Sequence, residues 1–126
     1  MLKWIAALLF APSLAFAQDC NDPQTQNEMN ACAQLEWEEA DRKLNDAYKL
    51  ARNAMRQLDS DLPSDMVGAE IALRDAQRAW ITFRDAACEA EGFQFRGGSM
   101  EPLIVISCMS NLTQRRTGDL LGLTEY

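Results

Sequence analysis

The 126-residue chain contains no histidine. That absence removes the commonest general base, the commonest nitrogen ligand for metals, and every Ser-His or Cys-His nucleophile arrangement. Zinc held by mixed cysteine and histidine goes with it. No glycine-rich loop followed by Lys-Ser or Lys-Thr is present, and Gly97-Gly98 alone marks a turn and not a nucleotide motif. Asp59, Asp61 and Asp65 lack the Asp-x-Asp-x-Asp-Gly pattern of a calcium loop, and Pro63 interrupts them. No metal and no cofactor are expected. Beyond the N-terminus no stretch approaches the roughly 20 apolar residues a membrane span needs, so no membrane insertion is expected. Internal repeats and low-complexity segments are absent too.

Basic residues are the minority, with 12 Lys and Arg against 19 Asp and Glu. Residues 1–17 begin with Lys3, continue through an apolar run from Trp4 to Phe16, and end on Ala15-Phe16-Ala17, the order of a secretory signal peptide with cleavage after Ala17. Acylation at Cys20 is the competing reading, but Gln18 and Asp19 stand where a lipid-attachment signal wants small apolar residues. Export predicts a periplasmic location. Without residues 1–17 the chain has 109 residues and a net charge of −8, one domain's length. An acidic surface disfavours nucleic acid and favours a cationic protein partner, although it also serves solubility.

The mature sequence reads as all-α. Thr25-Gln26-Asn27-Glu28 has capping-box spacing and opens a helix predicted over 26–58, with an apolar stripe at Trp37, Ala40, Leu44, Ala47, Ala51, Ala54 and Leu58. The turn formers from Asp59 to Asp65 stop it, and Ser64 or Asp65 can cap a second helix over 66–90. Its stripe is Ala69, Leu73, Ala76, Trp80, Phe83, Ala87 and Ala90, which puts Trp80 and Phe83 opposite the alanines of the first helix. The two should form an antiparallel hairpin. Pro102, with Ser99 upstream as a cap, suggests a third, C-terminal helix over 102–121, with Val105, Cys108 and Leu112 across the hairpin; the β-prone run Leu103 to Ile106 leaves a strand as the alternative.

Four cysteines in an exported domain of this size predict two disulfides. Cys20–Cys32 would fasten the N-terminal segment to the first helix, and Cys88–Cys108 would close the glycine-containing loop. Cys32–Cys88 with Cys20–Cys108 also suits an antiparallel hairpin. With no Cys-x-x-Cys, redox chemistry is not indicated.

The run from Gln77 to Cys88, with Trp80, Phe83, Arg84 and Asp85, is followed by Gly97-Gly98-Ser99, Cys108, Thr113, Arg116 and Leu120. Upstream stand Cys20, Cys32 and Ala40-Asp41-x-x-Leu44-Asn45-x-x-Tyr48. Together they resemble the LprI-type lysozyme inhibitor family, a small secreted bacterial helical domain, across residues 18–126. The resemblance implies a binding protein and no enzyme, with inhibition of a lysozyme expected of some members.

The residues then divide into structural and contact candidates. Trp80, Phe83, Arg84, Asp85 and Arg116 are read as structural, with an arginine pairing to Asp41 or Asp85 across the bundle. The loop supplies the candidate contacts, Glu89, Glu91, Phe93, Phe95, Arg96 and Glu101, suited to a cationic c-type lysozyme. A non-inhibitory envelope adaptor is the alternative. Glu36, Glu38, Glu39 and Asp41 could in principle do acid–base work, but their helical spacing reads as a solvated face with Glu38–Arg42 and Glu39–Lys43 pairs.

Overall fold

The computed structural model describes residues 19–126, so the signal-peptide reading of residues 1–17 lies outside the described residues. Helix α1 spans Gln26–Asp61, α2 Ala69–Gly92 and α3 Glu101–Gly122, with a short 3-10 turn at Phe93–Phe95. Among the described residues there is no strand, so the β-prone Leu103 to Ile106 run is helical. Pro102 sits in the first turn of α3, where its missing N–H costs nothing.

Helix α1 starts on the capping box: the Thr25 hydroxyl accepts from the Glu28 backbone N–H at 3.2 Å, and the Glu28 carboxylate accepts from the Thr25 N–H at 3.0 Å. The cap of α2 differs from the expectation. Neither Ser64 nor Asp65 provides it; the carboxylate of Asp59, from the last turn of α1, accepts from the backbone N–H groups of Gly68, Ala69 and Glu70 at 2.8, 2.8 and 3.1 Å. One side chain thus satisfies three orphan donors and adds a negative charge at the positive end of the helix. Gly68 takes φ +149 at this junction, a backbone state that side chains rarely adopt. Ser99 likewise does not cap α3, whose N-cap is Met100.

The hairpin forms, with α2 antiparallel to α1, but the closest packing is between α1 and α3. These two run parallel: Leu103 and Ser107 lie beside Met29 to Glu36, Gln114 and Thr117 beside Glu36 to Lys43, and Leu120 beside Leu44, Ala47 and Ala51. Both helices bury small residues, alanines on α1 and Ser110 and Thr113 on α3, which suits a close approach of the two backbones. Helix α2 inserts Leu73, Gln77, Arg84 and Cys88, and its two polar chains are long.

The stripe of α2 is therefore rotated from the one expected. Trp80 is partly buried against the core, whereas Phe83 is 60% exposed and Ala76 and Ala90 face solvent. At the end of α1, Leu58 is also exposed. A Cβ on Gly92 would stand 2.5 Å from a Val105 methyl, so only glycine lets α3 cross there.

Disulfides join Cys20 to Cys32 and Cys88 to Cys108, with Cα separations of 5.6 and 5.4 Å. Both lie at one end of the bundle. No helix among the described residues is long and apolar enough to cross a membrane.

Candidate functional site

A polar seam runs through the bundle above the second disulfide. The side chain of Arg84 is 8% exposed. Its Nε lies 2.9 Å from Asp85 Oδ1, and its Nη1 is 3.7 Å from Asp41 Oδ1 and 3.4 Å from the Thr113 hydroxyl, so one guanidinium touches all three helices. Trp37 and Trp80 flank it, their ring centres 5.8 and 5.2 Å from the guanidinium carbon. Buried Gln77 accepts from Arg116 Nε at 3.0 Å. Asp41 and Asp85, the counterions named from the sequence, are the ones Arg84 meets.

Nearer the end, α2 leads through Gly92 into the 3-10 turn and then into a tight return to α3. Glu101, in the first turn of α3, holds that return. One carboxylate oxygen accepts from Arg96 Nη1 at 2.8 Å and the other from the Gly97 N–H at 2.7 Å, with Gly97 at φ +77. The Gly97 bond first, then the Arg96 guanidinium, keep the Glu101 carboxyl below the usual carboxylate range. The Arg96 guanidinium also lies over the Phe93 ring, 4.5 Å from its centre. Glu101, Arg96 and Phe93 form one continuous clasp.

What the clasp leaves outward is apolar and acidic. Phe93 is 53% and Phe95 38% exposed, and Met100 is exposed beside them. Glu89 and Glu91 do not belong to the loop as expected, because α2 continues to Gly92 and carries both in its last turns; they are exposed, with no cation at ion-pair distance among the described residues. Of the six candidate contacts, Glu89, Glu91 and Phe95 are free at the surface, Phe93 is half-exposed with one face against Arg96, and Arg96 and Glu101 bond to each other. Sequence reasoning missed Met100, whose only signal was its place beside Gly97-Gly98-Ser99.

Three concave surfaces mark this end, one of them, of about 470 Å³, formed by the loop itself from Phe93 to Met100. An open groove of about 670 Å³ lies between the N-terminal segment, α1 and α3, with Met29, Leu35, Glu36 and Leu103 among its walls. Another, of about 300 Å³, runs between α2 and α3 past Phe83, Glu91 and Arg115.

The acids of α1 do not converge. Glu39 binds Arg42 and Lys43, Glu38 accepts from Gln34 instead of pairing with Arg42, and Asp41 turns to Arg84 and Asn45. Arg42 foremost holds the Glu39 carboxyl low, whereas a general acid needs the opposite shift. Among the described residues no three potential metal ligands gather.

A family model described as lysozyme inhibitor LprI matches residues 18–120. The chain belongs to the LprI family. It is 44% identical over 110 residues to an uncharacterized protein of Rhizobium meliloti (strain 1021), covering 85% of this chain and 79% of that one. A crystal structure of a DUF1311 family protein from Pseudomonas putida KT2440 superposes with a TM-score of 0.69 at 25% identity, over 82% of this chain and 98% of the other.

Against that membership the geometry separates two kinds of residue. Trp80, Arg84, Asp85 and Arg116, together with Cys88, Cys108 and Thr113, lie in or along the packed seam. The residues from Glu89 to Met100 stand outside it.

Proposed function

We propose that this protein is exported, freed of residues 1–17 and resident in the periplasm, where it binds a cationic c-type lysozyme and blocks it sterically. The segment from Glu89 to Glu101 enters the substrate cleft, with Phe93 and Phe95 as apolar anchors and Glu89 and Glu91 meeting basic cleft residues. Arg96 and Glu101 position the loop and do not contact the enzyme. No step of catalysis belongs to this chain.

The observation that carries this reading is the pairing of two exposed phenylalanines in the 3-10 turn with two unpaired acids at the end of α2, beside a loop closed by a disulfide and a carboxylate clasp. A loop already fixed in its bound shape loses little entropy on binding, so its contacts appear as affinity. Aromatic side chains are the usual anchors of such interfaces. The net charge of −8 would speed encounter with a basic enzyme and make association weaken with salt.

The test is turnover of a peptidoglycan suspension by an animal c-type lysozyme with increasing oxidised protein, residues 18–126, at low and physiological salt. Saturable inhibition near stoichiometry, lost in a Phe93→Ala/Phe95→Ala variant and after reduction and alkylation, is the expected result. Unchanged turnover at large excess rejects the reading for that lysozyme class.

A non-inhibitory adaptor is favoured by a different observation. Leu58, Met66, Val67 and Ile71 are exposed around the junction of α1 and α2, at the opposite end of the bundle. Retained inhibition after polar substitution of these four would set the adaptor reading aside.

A further inference from the structure

The disulfide end carries a groove as well as a loop, and the groove has a chemistry of its own. Its walls come from three parts of the chain: the N-terminal segment held down by Cys20–Cys32, the second and third turns of α1, and the first turns of α3. Met29, Leu35 and Leu103 make it apolar, and Leu35 is 51% exposed although it sits on a rigid helix. Glu36 stands at the rim. Its carboxylate has no cation at ion-pair distance among the described residues and only a long 3.4 Å bond from Gln114. No lysine or arginine lines the groove, while Asp19 and Asp22 flank Cys20 in the chain that forms its outer wall.

We infer that this groove is a second contact surface, which receives an extended basic segment of a protein partner. An apolar side chain of that segment seats between Met29, Leu35 and Leu103, and a neighbouring lysine or arginine meets Glu36. The volume of about 670 Å³ accommodates more than one side chain, and the open shape suits a strand-like segment better than a compact ligand. Charge complementarity decides the sign of the partner: the one charged residue lining the groove, Glu36, is an unpaired carboxylate, and Asp19 and Asp22 stand in the adjoining segment, so an acidic segment would be repelled and a basic one held. Leu103 lies three residues beyond Met100, so the groove opens at the same end of the bundle as the loop. The inference rests on the reading that the disulfide end faces the partner, and it adds a receiving surface to an inserting one.

Two arms test it. In the first, binding of an animal c-type lysozyme is measured by calorimetry for wild type, Glu36→Lys and Glu125→Lys, the last reversing an equal charge at the far end of the bundle. Glu36→Lys should weaken binding about tenfold more than Glu125→Lys, equivalent to about 1.4 kcal/mol; equal effects overturn the inference and leave the loop reading intact. In the second, the ¹⁵N-labelled oxidised protein is titrated with an acetylated, amidated peptide of sequence Lys-Leu-Arg-Leu-Lys. Saturable amide shifts at Leu35, Glu36, Leu103 and Ser107, reduced at least threefold in Glu36→Lys, are expected. Their absence at several millimolar peptide overturns the inference whatever lysozyme does. Should wild type bind no lysozyme while those shifts appear, the groove stands and the lysozyme reading fails.

Discussion

Replacing Arg84 separates two reasons why three helices might need it. If charge holds the seam, removing the charge is costly whatever shape replaces it. If filling holds it, shape is what counts. The geometry argues for filling. Both counterions are about half exposed, Asp41 at 42% and Asp85 at 54%, so each ion pair contributes at most about 1 kcal/mol. The bond to Thr113, at 3.4 Å, belongs at the weak end of the usual range of about 0.5–1.5 kcal/mol. Against this, taking a guanidinium out of water costs several kcal/mol, so the polar terms roughly cancel. What remains is the side chain's body between the Trp37 and Trp80 rings, whose loss resembles a large-to-alanine truncation of about 2–5 kcal/mol. Arg84→Ala should therefore destabilise the oxidised protein by about 3 kcal/mol, and Arg84→Met, which keeps length and volume, by about 1 kcal/mol or less. Guanidinium chloride unfolding, with unchanged slope, measures both. A methionine variant as unstable as the alanine variant would refute the reasoning and assign the seam to its charge.

Gly92→Ala should cost about 1–3 kcal/mol because its Cβ would meet Val105, and Val105→Ala should recover most of that loss in a double-mutant cycle read by the same unfolding curves. Asp59→Ala should release the first turn of α2, seen as faster hydrogen exchange at the Gly68, Ala69 and Glu70 amides with little change in α3. Its carboxyl is lowered by those backbone bonds, the Gly68 bond first, and that of Glu101 is lowered as well, so both add stability above the unfolded carboxylate range near about pH 4 and lose it as pH falls through their lower folded values. Thermal unfolding should be flat with pH above about 5 and fall below about 4, less steeply in Asp59→Ala. Removing Cys88 and Cys108 together as serines should cost about 3 kcal/mol on the loop-entropy argument for a separation of 20 residues, and should raise exchange at Gly97 more than reducing the Cys20–Cys32 bond does.

Much of this architecture is legible in the amino-acid sequence. The alternating three-and-four spacing of alanines on α1 fixes a long helix with one narrow buried face, and Ala40, Leu44, Ala47 and Ala51 are buried on it. Thr25 and Glu28 announce the start of that helix because a capping box is a local device, complete within four residues. Devices that act across the chain carry no such local mark. Nothing around Asp59 signals that its carboxylate will reach the N-terminus of the next helix, and nothing around Glu101 signals that it will fold back on Gly97. Both depend on where a turn carries the backbone.

The rotated face of α2 is the instructive error, because a signal for it was present. Hydropathy favours the stripe through Ala76, Phe83 and Ala90, since it gathers apolar residues and leaves Gln77 and Arg84 outside. Yet a cysteine bonded to another helix must face that helix, and counting back from Cys88 in helical steps gives Arg84, Trp80, Gln77 and Leu73, the face that α2 turns inward. A covalent constraint outranks a hydropathy average, because a buried arginine and glutamine can be satisfied by partners on neighbouring helices, whereas a disulfide cannot form on the wrong side. The consequence reaches function. With Arg84 inward, the family motif from Trp80 to Cys88 describes how three helices are held together, and of its large apolar residues Ile81 and Phe83 are left outside. Matching that motif therefore establishes the scaffold, and the partner must be read from the surface that the scaffold displays: the segment from Glu89 to Met100 and the groove past Glu36.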